Sequence, residues 1–288
     1  MQVVCAGAAG GIGRRVTTRF LAAGHSVVAL DHDAAGLTTL RESVDDTETD
    51  EDVDADALET IVVDLTDPSA ASAAVEDVAA DAVVSCVGWY EIGALEDCSP
   101  ERFRDHLDSN LLAVHAVVHP LLATLRERSG RVVIVGSIAG SVPLPFHGGY
   151  GAAKAGLAAY ATTLRRELRE HDVDVVLVEP GPIRTGLNER AAAALAIDGA
   201  AEARETAPYA GTYRAFESYA PESTSPEAVA SRVASATTTS RPRARYRVGA
   251  RARLLPWLGA VLPTALFDRI VRAGMPDGPL GRWIDRRR

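Results

Sequence analysis

Tyr150 and Lys154 are four residues apart in a segment with the composition of a helix, and Lys154 is the only lysine of the chain. Residues i and i+4 share one helix face, so the phenol and the ammonium would be neighbours. A nearby ammonium favours the phenolate and would lower the pKa of Tyr150 from about 10, which would make it a usable general acid or base. This spacing also occurs by chance in many helices, so an ordinary structural role stays open.

Two further polar residues, Ser137 and Asn110, are candidates for a proton-transfer site with Tyr150. Ser137 follows a predicted strand, 131–135, and precedes Tyr150 by thirteen residues. Ligands of open α/β sheets bind at the carboxyl ends of the strands, so this loop can bring both hydroxyls to one carbonyl. Asn110 lies in an apolar helix, where an amide must find partners. Asn110 is therefore either a satisfied polar group of the core or part of a proton relay.

The N-terminal segment has the order strand, glycine turn, helix that is typical of dinucleotide binding. Gly7, Gly11, Ile12 and Gly13 follow a short apolar strand and open a helical run. The glycines allow the backbone to approach a pyrophosphate, which the amides and dipole at the helix N-terminus attract. The spacing differs from the common Gly-x-Gly-x-x-Gly fingerprint, and an ordinary turn is the alternative.

Asp31 indicates which dinucleotide is bound. It ends the second predicted strand, 26–30, eighteen residues after Gly13. A carboxylate there accepts hydrogen bonds from the ribose hydroxyls and repels a 2′-phosphate, which favours NAD over NADP. Arg14 and Arg15 weaken this inference because they are close enough in sequence to help bind a phosphate, so NADP is kept as the alternative.

The other candidate cofactor contacts also follow predicted strands. The acid that follows strand 60–63 would meet the adenine amino group, and the segment after strand 173–178 would lie beside the nicotinamide amide. Plain turns are the alternative at each position. The residues concerned are Asp64, Leu65, Gly88, Pro180, Gly181, Ile183 and Thr185.

Predicted strands and helices alternate along the chain, which indicates a doubly wound, Rossmann-type α/β fold with one parallel sheet. We assign residues 1–249 to a dinucleotide-binding and catalytic domain, and 250–288 to a basic, apolar helical extension that packs on this domain or a partner subunit. Four aromatic residues recur at helical spacing and predict one helical stripe: Tyr209, Tyr213, Phe216 and Tyr219. This stripe is either part of the core or a lid over an apolar substrate. Other predicted elements are helices 70–80, 100–128 and 149–170, strand 82–87 and a solvated acidic excursion at 41–59.

Charge is distributed unevenly. The net charge is -9, but Arg241 to Arg288 contains twelve arginines and three aspartates, so this segment is +9 and residues 1–240 are -18. The acidic body argues against nonspecific nucleic-acid binding. For the extension we rank packing over the site first, subunit contact second and membrane-surface docking third.

Three cysteines without CxxC spacing indicate no disulfide framework and no metal site, and predict a reducing, cytoplasmic location.

Together these features resemble the short-chain dehydrogenase/reductase family over about residues 3–185. The resemblance implies that Tyr150 exchanges a proton with the substrate oxygen and Ser137 binds the same oxygen. Lys154 would bind the nicotinamide ribose and lower the pKa of Tyr150, and Asn110 would order a relay water. The matching motifs are Gly7-x3-Gly11-Ile12-Gly13, Asp64, Asn110, Gly136-Ser137-x-Ala139-Gly140, Tyr150-x3-Lys154 and Pro180-Gly181.

Two departures from the family pattern affect hydrogen bonds on the cofactor side. Ala6 stands where the family usually has threonine, and Ser85-Cys86-Val87-Gly88 replaces its Asn-Asn-Ala-Gly element. The stretch 141–146 and the apolar C-terminal segment look most like members that act on hydroxysteroids or retinoids.

We therefore expect hydride transfer between NAD(H) and an apolar secondary alcohol or ketone. We also expect a homodimer or homotetramer formed through the helices of Asn110 and Tyr150. The alternatives are a double-bond reductase or epimerase of the same family, and a non-catalytic NAD(P)-binding regulator.

Overall fold

Seven parallel strands form one sheet in the order β3-β2-β1-β4-β5-β6-β7. The computed structural model describes residues 1–45, 54–183, 208–217 and 224–279. The chain moves outward from β1 to β3 and returns to pair β4 with β1, so the strand order reverses there, where ligands of such sheets bind. The strands are β1 Gln2–Ala6, β2 Ser26–Asp31, β3 Leu58–Val62, β4 Ala82–Ser85, β5 Arg131–Val135, β6 Asp174–Pro180 and β7 Arg245–Val248.

Helices cover both faces of the sheet, which confirms the predicted doubly wound fold. One turn of π-helix, Asp108–Leu112, joins α4 to α5. In chain order the α-helices are α1 Gly13–Ala22, α2 Ala34–Asp45, α3 Pro68–Ala73, α4 Pro100–Leu107, α5 Ala113–Glu127, α6 Gly148–Glu167, α7 Ala210–Glu217, α8 Pro226–Thr238, α9 Ala250–Val261 and α10 Thr264–Ala273.

The core consists of two apolar layers because alternate residues of each buried strand point to opposite faces. Val4 and Val83 belong to the layer that includes residues of α3, α5 and α6. Val3 and Val84 belong to the layer that includes residues of α1, α2 and α8. The near-continuous apolar strands of the sequence therefore reflect burial on both sides.

Several element ends differ from the prediction. The helix predicted over 70–80 is only α3, and β4 ends at Ser85 because the chain leaves the strand towards Gly88, whose φ is +154°. The helix predicted over 149–170 is α6 followed by a short 3-10 turn, Leu168–His171. Of the acidic excursion, the first residues belong to α2, and residues 46–53 lie outside the described part.

The extension after β7 forms α9 and α10. These helices pack through Ala252, Leu255 and Phe267 on Ile138 and Val142. The division at residue 249 stays a prediction. No helix in the described part of the chain has the length and apolarity needed to cross a membrane.

Candidate active site

The four predicted catalytic residues lie together at the carboxyl edge of the sheet. Ser137 follows β5, Tyr150 and Lys154 lie in α6, and Asn110 lies in the π turn. Lys154 Nζ donates to the carbonyl oxygens of Val87 at 3.2 Å and Val135 at 3.5 Å, so it bridges the ends of β4 and β5.

The Lys154 ammonium is in a desolvated position. Its residue is 3% exposed. Burial lowers its pKa from 10.5 to about 8, although the negative charge of a nearby Cys86 thiolate would act in the opposite direction. A proton on this amine is therefore held less tightly than on a surface lysine.

Tyr150 has a raised pKa, contrary to the expectation from its spacing to Lys154. Burial raises the pKa, and a hydrogen bond with Ser137 opposes the shift. Lys154 Nζ lies 5.8 Å from the centre of the Tyr150 ring. At this separation, desolvation of the phenol outweighs the effect of the ammonium, so the resting group is a protonated phenol.

Ser137 is held by the turn that it begins. Its backbone is extended, and its hydroxyl oxygen accepts a hydrogen bond from the Ala139 amide at 3.1 Å. Because this bond uses the oxygen as acceptor, the hydroxyl hydrogen remains available towards Tyr150 or a substrate oxygen.

Asn110 is completely buried, at 0% exposure, inside the π turn. Its side-chain nitrogen donates to the carbonyl oxygens of Trp89 at 2.9 Å and His106 at 3.1 Å. Its side-chain oxygen has no hydrogen-bond partner in the described structure. Since buried oxygens are normally satisfied, this atom is suited to hold a water molecule.

Gly88 allows two of the predicted catalytic side chains, Asn110 and Lys154, to approach the end of β4. A Cβ added there would lie 2.7 Å from Asn110 Oδ1 and 2.9 Å from Lys154 Nζ, and φ is +154°. Both the space and the backbone conformation therefore require glycine. Asn110 Oδ1 and Lys154 Nζ thus adjoin one small region beside the backbone.

The glycine turn is closely packed. Gly7 has φ +76°, and a Cβ on it would lie 2.9 Å from the carbonyl carbon of Cys86; a Cβ on Gly13 would lie 2.0 Å from the Gly7 oxygen. Ile12 caps α1 without a side-chain hydrogen bond. With Gly11, these residues form a backbone cradle at the helix N-terminus that could receive a phosphate group.

Asp31 supports the same turn. It is 7% exposed, and its carboxylate accepts hydrogen bonds from the Ala9 amide at 2.9 Å and the Asp33 amide at 3.1 Å. Arg15, a candidate phosphate ligand in the sequence, lies 3.6 Å from the Glu227 carboxylate. A ribose would therefore share Asp31 with the backbone of the turn.

Asp64 and Leu65 follow β3 on the same edge. Asp64 is exposed, and hydrogen bonds from the Thr66 hydroxyl at 2.7 Å and the Thr66 amide at 2.9 Å lower its pKa. The Leu65 side chain is buried in the core. An adenine contact from either residue stays a prediction.

The segment predicted beside the nicotinamide is only partly described. Pro180 ends β6, the Gly181 amide donates to Val248 oxygen at 3.0 Å, and Ile183 forms a bridge with Thr224. Thr185 lies outside the described residues. These contacts fix the segment against β7, and its cofactor role stays a prediction.

The Ser85-Cys86-Val87-Gly88 departure from the family pattern has structural consequences. The Ser85 hydroxyl is buried without a partner in the described structure. The Cys86 thiol hydrogen-bonds to Cys5, which raises the pKa of Cys86 and lowers that of Cys5. All three cysteines are free, and no three His, Cys, Asp or Glu side chains of the described residues could hold a metal ion together.

Sequence reasoning missed Trp89 and Tyr90. The Tyr90 ring lies 5.4 Å from Tyr150 and 5.8 Å from His147. Trp89 stacks on His106 at 4.5 Å, and burial lowers the pKa of His106 to about 4, so this imidazole is neutral. Their position directly after β4, at the binding edge of the sheet, was the signal that could have identified them.

An aromatic wall, defined as Tyr90, Phe146, Tyr209, Tyr213 and Phe216, stands beside Tyr150. The Phe146 ring lies 5.4 Å from Tyr209, 5.8 Å from Tyr213 and 5.6 Å from Phe216. Ile92 and Met275 pack into the same cluster. Three of the four residues of the predicted stripe therefore pack in this apolar cluster. The fourth, Tyr219, lies outside the described residues.

Side-chain hydrogen bonds connect helix α7 to two other segments. The Tyr213 hydroxyl accepts from the Ala94 amide at 2.9 Å and donates to the Asp97 carboxylate. The Thr212 hydroxyl donates to the Asp277 carboxylate at 2.7 Å. These bonds connect α7 both to the loop after β4 and to the C-terminal extension.

Comparison with known proteins gives consistent matches. The family model for short chain dehydrogenase matches residues 1–196. Dehydrogenase/reductase SDR family member 7B of Bos taurus is 32% identical over 198 residues, which are 67% of this chain and only 61% of that protein. The 17-beta-hydroxysteroid dehydrogenase type 6 of Rattus norvegicus is 30% identical over 237 residues, 74% of this chain and 72% of that protein. A crystal structure of an oxidoreductase from Burkholderia thailandensis, of the short chain dehydrogenase/reductase family, superposes with a TM-score of 0.69 at 29% identity and covers 87% of this chain and 92% of its own.

Proposed function

Since the chain belongs to the short-chain dehydrogenase family, we propose that it transfers a hydride between NAD(H) and an apolar secondary alcohol or the matching ketone. The observation that carries the proposal is the convergence of Ser137, Tyr150, Lys154 and Asn110 where the sheet order reverses. A non-catalytic binding protein would have no need of this set.

Tyr150 exchanges the proton with the substrate oxygen. Because burial raises its pKa, the phenol holds its proton at neutral pH and is ready to donate it to a ketone. In the direction of alcohol oxidation the phenol must first lose this proton. The hydrogen bond with Ser137 and the charge of Lys154 favour that loss.

In alcohol oxidation the proton lost by Tyr150 would leave through water held beside Lys154 and Asn110, and in ketone reduction a proton would return the same way. The unpaired Asn110 oxygen and the Lys154 ammonium both adjoin Gly88, so a water in this region would accept from the ammonium and donate to the amide oxygen. Such a water connects Lys154 to the interior of the π turn.

The residues fit a nicotinamide dinucleotide. The cradle of Gly7, Gly11, Ile12 and Gly13 would hold the pyrophosphate, and Asp31 would bind the adenosine ribose, which favours NAD over NADP. Lys154 would bind the nicotinamide ribose. When bound, the cofactor supplies the hydride acceptor or donor.

The aromatic wall supports an apolar substrate. Tyr90, the member of the wall next to Tyr150, lies 5.4 Å from its ring, and the printed name of the rat relative refers to a hydroxysteroid. A rigid apolar alcohol would gain buried contact area against this wall.

The proposed assembly is a homodimer or homotetramer through α5 and α6. Leu112 is 53% exposed at the start of this surface, and His115 Nδ1 lies 3.3 Å from the Tyr160 hydroxyl across the two helices. Sedimentation velocity of Leu112→Asp beside the wild-type chain tests this interface, and an unchanged oligomer would exclude Leu112 from it.

The function is tested by a screen of secondary alcohols, steroids and retinoids with NAD and NADP, following absorbance of the reduced nicotinamide. We expect Tyr150→Phe to lose about a hundredfold to ten-thousandfold in kcat, because general acid–base catalysis typically contributes about 10² to 10⁴ and the ring stays in place. NADH binding should be nearly unchanged. Equal turnover by wild type and variant would contradict the mechanism, and a preference for NADP would contradict the role of Asp31.

A further inference from the structure

The outer side of α9 carries an apolar stripe, defined as Leu254, Trp257, Leu258 and Val261. Their spacing of three, four and seven residues places them on one helix face. Leu254, Trp257 and Val261 are 53%, 57% and 56% exposed, whereas Ala252 on the opposite side is fully buried. Helix α9 therefore packs on the protein with one side and presents a second apolar side outward.

Arginines border this stripe. At about 100° per residue, Arg251 and Arg253 project on its two flanks. Helix α10 adds Leu266, which is 45% exposed, and Arg269. Asp268 is the one acidic residue of the two helices. Exposed tryptophan and leucine side chains bordered by arginines are residue types that occur where helices contact a lipid interface.

We propose that α9 and α10 dock on an anionic lipid surface, with the apolar stripe in the acyl–headgroup boundary and the flanking arginines on lipid phosphates. The basic charge fits such a surface, because the segment from Arg241 onward is +9 while the rest of the chain is -18. The stripe lies on the basic segment, so docking there leaves the acidic body away from the phosphates.

A second copy of the chain fits this face less well. A symmetric dimer would bring the stripe against itself and would place the basic C-terminal segments of two copies side by side. Four side chains also provide far less than the roughly 800 Å² per partner that a stable interface buries. An anionic bilayer meets the same face with the opposite charge.

The test is flotation of the full chain with vesicles of phosphatidylcholine, with or without phosphatidylglycerol. We expect binding to the anionic vesicles only, and weaker binding as salt is raised. The double variant Leu254→Gln, Trp257→Gln should lower the partition coefficient by about tenfold or more, because two large apolar side chains leave the interface. Val62→Gln is the matched control: Val62 is 60% exposed on β3, and its variant should float like the wild-type chain.

Three results would overturn the proposal. One is failure of the wild-type chain to float with anionic vesicles. Another is flotation of the folded double variant equal to that of the wild-type chain, because membrane binding would then depend on charge alone and not on the apolar stripe. The third is a dimer in sedimentation that the double variant dissociates, which would assign the stripe to a second copy. If the double variant does not fold by circular dichroism, Arg251→Gln with Arg269→Gln replaces it, and unchanged flotation of that variant would also overturn the proposal.

Discussion

At the scale of single residues, burial shifts the pKa of both Tyr150 and Lys154 towards the neutral form of each group. Types and spacings were enough to select Ser137, Tyr150 and Lys154, because the i, i+4 relation is a property of any helix. The predicted direction of the Tyr150 pKa shift was wrong, because the shift depends on how much of the phenol is covered by other segments. Desolvation is a tertiary property that local spacing does not contain.

The buried lysine predicts a pH limit for ketone reduction. Lys154 is cationic below its pKa of about 8 and neutral above it, so kcat/KM should fall as the pH rises through about 8. The phenol stays protonated over this range because its pKa is raised. Initial rates of ketone reduction between about pH 6 and 9.5 measure the profile, since kcat/KM reports groups of the free enzyme.

Lys154→Arg provides the comparison for this profile. A guanidinium stays charged throughout the range, so the variant should be slower but should lose the decline near pH 8. A wild-type rate that stays constant to about pH 9.5 would contradict the assignment to Lys154.

Gly88→Ala should damage catalysis more than folding. The new methyl group would press on Asn110 Oδ1 and Lys154 Nζ, so we expect kcat to fall at least about tenfold, or about 1.4 kcal/mol. Gly24→Ala is the matched control, because Gly24 also has positive φ, at +72°, but has open space around it. Each variant should lose about 1–2 kcal/mol of stability in urea. Normal turnover by Gly88→Ala would show that the two side chains need not keep their positions.

At the scale of elements, strands and caps were predictable and the π turn was not. A Ser-Pro-Glu sequence, at 99–101 and again at 225–227, is typical of a helix N-cap. Ser99 accepts a hydrogen bond from the Arg102 amide, and Ser225 accepts one from the Ala228 amide. The apolar pattern around Asn110 continues through the turn at Asp108–Leu112 without a break. Hydrophobic periodicity reports which side of a helix is buried, and it does not report whether the backbone hydrogen bonds of a single turn span four or five residues.

Helix α7 should control substrate affinity rather than the chemical step. Tyr213→Phe removes the acceptor of the buried Ala94 amide and the donor to Asp97, which loosens the aromatic wall. We expect KM for an apolar alcohol to rise about fivefold to tenfold, or about 1 kcal/mol, with kcat within about twofold.

Tyr209→Phe is the control for Tyr213→Phe. It keeps the ring that contacts Phe146 at 5.4 Å, and it should leave both constants close to the wild-type values. A fall in kcat without a change in KM for Tyr213→Phe would place the helix in the chemical step instead.

At the scale of the whole molecule, one buried carboxylate connects the far edge of the sheet to the catalytic loop. Glu179, at the end of β6, is 1% exposed. It accepts a hydrogen bond from Ser141 at 2.8 Å and pairs with Arg245 at 3.3 Å and Arg247 at 3.2 Å on β7. The sequence shows an acid before Pro180-Gly181, but not that three segments meet on it.

Glu179→Leu should lower the free energy of unfolding by about 1–3 kcal/mol, because Ser141, Arg245 and Arg247 lose a buried charged acceptor. Urea denaturation measures the loss. Glu227→Leu is the matched control: its carboxylate also contacts two arginines, Arg15 and Arg19, but its side chain is 53% exposed. That variant should lose less than about 1 kcal/mol. Similar losses in the two variants would mean that burial of the carboxylate does not determine how much its ion pairs contribute to stability.

The single lysine also makes the chain a spectroscopic system in which no assignment is needed. Selective labelling with 15N-lysine would give one backbone amide resonance in the entire protein, and it would arise from α6, one turn from Tyr150. Addition of each nucleotide or candidate alcohol could be followed at that one resonance. Because the label replaces no atom type, an untouched enzyme would report on its own active site.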